Sequence, residues 1–92
     1  MDEFTLREKI SKTLISKGFK TRLVNIIAEH SEEIAILERE EQIKVVASLS
    51  YDVIPSLLKL AIRKEKFEEL FINYSGALKM QKIIKKALKR KN

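Results

Sequence analysis

Seven basic side chains, Lys79, Lys82, Lys85, Lys86, Lys89, Arg90 and Lys91, fall between Gly76 and Asn92 with no acid among them. The other 75 residues carry twelve basic and thirteen acidic side chains, so the entire +6 excess sits in this final segment. The chemistry open to such a cluster is electrostatic attraction of a polyanion, not the making or breaking of bonds. On a helix at about 100° per residue, Met80, Ile83, Ile84, Ala87 and Leu88 share one side, while Lys82, Lys85, Lys86 and Lys89 lie opposite, flanked by Lys79 and Arg90. One side packs and the other is a cationic ridge. Lysines in the last turns also suit the negative end of the helix dipole, but a helix shaped only for solubility would mix Glu with Lys at i,i+4 spacing. The acid-free pattern therefore predicts a nucleic-acid-binding site at Lys79, Lys82, Lys85, Lys86, Lys89 and Arg90. Lysine dominance favours contact with phosphates over base reading.

A second cationic set lies earlier. Between Ile10 and Ile27 the chain resembles a helix-turn-helix, with Gly18 at the turn, Phe19 after it, Thr21 opening the second helix, and Val24 and Ile27 at inward positions. That resemblance implies a DNA-reading element in which Lys20, Arg22 and Asn25 face the groove beside Lys17, Asn25 being able to bond adenine in bidentate fashion. Leu14 and Lys17 depart from the small and apolar residues usual at their places in the motif. The alternative is two antiparallel helices joined by a glycine cap.

Catalytic chemistry has little to work with. His30 is the only histidine and there is no cysteine, so two-His metal sites, His–His acid–base pairs, thiolate nucleophiles and disulfides are excluded within one chain. Glu32 with Glu33, and Glu38 with Glu40 and Glu41, are acids whose helical neighbours point apart, and no Gly-rich loop offers a phosphate cradle. Tyr51 and Tyr74 could stack a base, but their apolar neighbours favour packing. The expectation is a protein that is not an enzyme and uses no metal or cofactor.

These residues must be positioned by helices. Apolar residues recur at three and four, and two Gly and one Pro are the only strong breakers in 92 residues, so an all-α fold is expected. One domain over 1–92 suits the length and buries roughly 60 to 65% of the unfolded chain's surface. Helix one is expected from Thr5, with Glu8 at capping-box spacing, to a C-terminal stop at Gly18. Helix two is expected after Thr21, with a fresh start at Ser31 and a further break by about residue 42. A boundary follows near Pro55, capped by Ser50 or Asp52, and a long buried stripe runs through Leu57, Leu60, Phe67, Leu70, Phe71 and Tyr74. Ser75 then caps a basic helix over 75–92, frayed at its end. The sum is a compact bundle of four or five helices.

Charge also alternates in blocks. Six basic residues lie between Arg7 and Arg22 against Glu8 alone, and six Glu lie between Glu29 and Glu41 against Arg39. The acidic block either pairs within the bundle or docks a basic partner surface. In size, all-helical pattern and basic character the chain is similar to the small accessory subunits of crenarchaeal family-B replicative DNA polymerases. The resemblance rests on no motif residue and transfers no site, but it implies an accessory protein acting in DNA replication beside a larger protein partner. Few Asn and Gln alongside abundant Lys, Glu and Ile fit a thermophile's composition. The expected function is a non-catalytic accessory subunit or modulator of a DNA-processing enzyme that contacts phosphate backbone without sequence specificity. The alternatives are a stand-alone DNA-binding protein and a helical protein-interaction regulator. No apolar run approaches the roughly 18 residues of a spanning helix, and the final helix lacks the Trp or Phe of an amphipathic anchor, so no membrane role and a cytoplasmic location are expected.

Overall fold

The computed structural model describes residues 3–74 and 79–90, and within them every regular element is a helix. The order is α1 (Glu3–Ile15), α2 (Lys17–Glu29), α3 (Ser31–Ala35), α4 (Arg39–Val53), α5 (Ser56–Ala61), α6 (Lys64–Tyr74) and α7 (Met80–Arg90). The all-α expectation holds. The described residues form seven helices, however, because two short ones, α3 and α5, sit at the expected boundaries.

Several boundaries move for local reasons. The first break lies at Ser16, not Gly18: extended Ser16 takes the N-cap of α2, and its Oγ accepts the Phe19 N–H at 3.2 Å while donating to the Thr13 carbonyl at 2.8 Å. A side chain that satisfies orphan groups on both sides of the joint makes the stop without a left-handed glycine. Gly18 lies inside the first turn of α2 and its φ is not positive. Thr21, expected to precede the second helix, stands a full turn inside it. The single-residue joint at Ser16 also differs from the three- or four-residue turn of a helix-turn-helix.

His30 closes α2 and opens α3, its Nδ1 donating to the Ile26 carbonyl at 3.0 Å. Glu32 and Glu33 fill the first turn of α3 as expected, beside the positive end of its dipole. Pro55 holds the N-cap position of α5, and its carbonyl accepts from the amides of Leu58 and Lys59. Ser50 is no cap; it is buried within α4, bonded to the Ala47 carbonyl at 2.8 Å. The Tyr51 hydroxyl lies 3.1 Å from the Lys59 carbonyl and 3.0 Å from that of Ile62, which meets the free acceptors at the end of α5. Tyr51 therefore packs and caps, its ring centroid 5.5 Å from that of Phe67.

The expected stripe from Leu57 to Tyr74 is half right. Phe67, Leu70 and Phe71 are buried, but Leu57 and Leu60 are 81% and 86% exposed, and Leu58 and Ile62 take their places inside. Ile62 is extended, with φ −139° and ψ 139°, so the helical phase of α6 does not carry back into α5.

The core forms where α4 packs on α6 and on α2, and α2 in turn packs on α1 and α7. Phe67 and Phe71, both fully buried, stand at its centre with ring centroids 6.2 Å apart. Each contributes roughly 1.5–3 kcal/mol by leaving water. The Cα radius of gyration, 12.7 Å, is close to the value of about 12 Å for one compact domain of this length. No helix among the described residues is long and apolar enough to cross a membrane.

Candidate nucleic-acid interface

The basic helix keeps the polarity its spacing predicts. Met80, Ile84 and Ala87 are buried, Ile83 and Leu88 are half-buried against the core, and Lys79, Lys82, Lys85, Lys86, Lys89 and Arg90 are all exposed. Within the described residues the helix starts at Met80; the expected cap at Ser75 and the seventh cation, Lys91, lie outside them. Lys79 stands at φ 54°, in the left-handed region, and its carbonyl accepts from the amides of Lys82 and Ile83 to begin the first turn.

Neighbouring helices fix the rotation of α7. Gln81 Nε2 donates to the Arg39 carbonyl at 3.4 Å on the α4 side, and Leu88 meets Ser31, Glu32 and Ala35 of α3 around a small hollow. On the other flank, Arg90 Nη1 donates to Asn25 Oδ1 at 2.9 Å. Lys86 and Arg90 thereby face α2, where with Lys20, Thr21 and Val24 they line a groove of about 280 Å³. Among the described residues no carboxylate lines it. Lys82 and Lys89 lie about 160 to 180° around the helix from the centre of the buried stripe and point outward.

The second set of candidates is divided by this arrangement. Lys20 and Asn25 join the face of α7. Arg22 does not: it lies about 200° around α2 from Lys20, beside a separate hollow lined also by Thr13, Ser16, Gly18, Phe19, Val53 and Pro55. Lys17 is exposed at the start of α2. Thr21 and Val24, expected to open the second helix and to point inward, line this groove instead, and only tertiary packing brings them to α7.

The electrostatics of this face are unneutralised. Among the described residues, none of Lys79, Lys82, Lys85, Lys86 and Lys89 is in an ion pair, whereas Lys12 pairs with Glu8 at 3.4 Å and Lys66 with Glu69 at 4.0 Å. The acidic block over Glu29 to Glu41 likewise makes no ion pair with the ridge. A larger hollow of about 470 Å³, beside Arg7, Ser11 and Tyr74, contains the Glu8–Lys12 pair and so carries charge of both signs. Among the described residues no group of three or more His, Cys, Asp or Glu is arranged to hold a metal ion.

Comparison with known proteins gives no match for this chain, whether to a family model, a curated protein or a solved structure. Its chemistry must be argued from its own surface.

Proposed function

We propose that this chain is a small non-catalytic accessory protein that holds the phosphate backbone of nucleic acid, DNA in the first instance, without reading its sequence. It acts as a subunit or modulator of a larger DNA-processing enzyme such as a polymerase. The observation that carries this reading is the division of α7, whose apolar stripe is buried in the core while its six described cations face solvent. A helix used this way offers charge and no insertable apolar face, which favours a polyanion in solution over a bilayer. From Lys82 to Lys89 the ridge rises about 10 Å at 1.5 Å per residue, enough to follow about three nucleotides at 3.4 Å per step of one strand. The dependence on a larger partner draws support from exposed Leu57 and Leu60 and from the unpaired acidic block, both surfaces that a second protein could cover. Those same features favour a second reading, a protein-interaction regulator that binds no nucleic acid.

The test is fluorescence-anisotropy binding of the whole chain to a mixed-sequence DNA duplex across a salt series. Neutralising about four phosphates gives a log–log slope of roughly −3 to −4, with equal affinity for unrelated sequences. An absence of binding even at low salt overturns the reading and leaves the regulator.

A further inference from the structure

We infer that the groove between α2 and α7 is the anchor of this face, a cradle in which Lys20, Lys86 and Arg90 together hold one phosphate of a nucleic-acid strand. The inference rests on the polyanion reading and adds where the strand is gripped. Among the described residues the groove is lined by three cations, the Thr21 hydroxyl and the apolar Val24, so every charged group they offer is a donor. Its volume of about 280 Å³ corresponds to on the order of nine waters at about 30 Å³ each, room for a phosphate group with adjoining sugar atoms.

Arg90 is held in place by a neutral acceptor, Asn25 Oδ1 at 2.9 Å. That bond uses one of the guanidinium's five N–H donors and cancels none of its charge, leaving the fork free for phosphate oxygens. Because the cradle spans two packed helices, its cations are brought together before any ligand arrives, and less ordering is needed on binding. Lys82 and Lys89, by contrast, project from one helix into open solvent and meet separate phosphates. The occupant is a nucleic-acid strand and not a lipid headgroup, because the apolar stripe of α7 is already buried and cannot follow a headgroup into the bilayer.

The experiment is the salt series on the mixed-sequence duplex with the variants Lys20→Ala, Lys86→Ala and their combination, beside Lys82→Ala, Lys89→Ala and theirs. All four side chains are exposed, so the folds survive, and far-UV circular dichroism checks this. If one phosphate is shared, the cradle singles lower affinity, but even the cradle double reduces the slope by no more than about 0.9, because that phosphate counts once and Arg90 stays beside it. The outer pair instead reduces it by about 1.8 when combined. A cradle double whose slope falls as far as that of the outer double, or a Lys20→Ala variant with unchanged affinity, overturns the shared cradle while leaving the polyanion reading standing. A wild-type chain that fails to bind removes both. Binding to phosphatidylserine vesicles at matched salt, with the same Lys20 and Lys86 dependence and no duplex binding, overturns the nucleic-acid strand as occupant.

Discussion

The guanidinium of Arg90 and the side-chain amide of Asn25, 65 positions apart in the chain, meet at 2.9 Å and close the seam between the last helix and the second. A neutral acceptor there orients the arginine and leaves its charge intact. Asn25→Asp supplies a carboxylate at the same distance. The exposed ion pair it forms changes stability by no more than about 1 kcal/mol, but it competes with phosphate for Arg90, and duplex affinity falls several-fold at 0.1 M salt. Urea denaturation and anisotropy on the same variant separate the two effects.

Reversing the outer ridge is a more drastic change to charge and a mild one to fold. The triple variant Lys82→Glu, Lys85→Glu, Lys89→Glu alters only exposed positions and introduces acids that repel phosphate. Duplex retention at 0.1 M salt is lost by more than a hundredfold, on the order expected for three contacts of about eightfold each. Helicity by circular dichroism stays within a few per cent of the parent.

The joint between α1 and α2 gives a pair of opposite effects two residues apart. Ser16→Ala removes the cap on the Phe19 amide and the bond to the Thr13 carbonyl, costing about 1 kcal/mol. Gly18→Ala places a methyl that meets no atom within 4 Å beyond its chain neighbours and its own helix's backbone, at a helical φ, and gains up to about 1 kcal/mol. Chemical denaturation of both variants decides whether Ser16 or Gly18 governs the break.

Two large apolar side chains close in sequence differ as much. Phe67→Ala opens a cavity at the centre of the core and costs about 3–5 kcal/mol, a large share of the stability of a domain this size. Leu60→Ala, at a site 86% exposed, stays within about 0.5 kcal/mol. A thermal melt that ranks the two the other way contradicts the register of α5 and α6.

How much of this was legible depended on element length. Over α7, eleven residues of unbroken 3.6-residue periodicity placed Met80, Ile84 and Ala87 inward and the lysines outward, as the structure has them. Over α5, six residues are too few to fix a phase, and the pattern of α6 was extended backward through the extended Ile62, which put Leu57 and Leu60 inside in error. The expected stop at Gly18 rests on glycine alone, whereas the break is set by Ser16, a capping residue three before Phe19. Spacing alone could have separated Lys20 from Arg22, which no helix can present on one face. The pairing of α2 with α7 is different in kind: it joins Asn25 to Arg90 across the length of the chain, and no local pattern encodes such a contact.

The apolar stripe of α7 has a thermodynamic consequence. Because Met80, Ile84 and Ala87 form part of the core, unfolding the domain dismantles the cationic face and releases any anion bound to it. Occupancy and stability are then linked: a ligand at a hundred times its dissociation constant raises the unfolding free energy by about 2.7 kcal/mol. The melting temperature of the unlabelled protein becomes a gauge of what it binds, so a panel of polyanions can be ranked by heating alone.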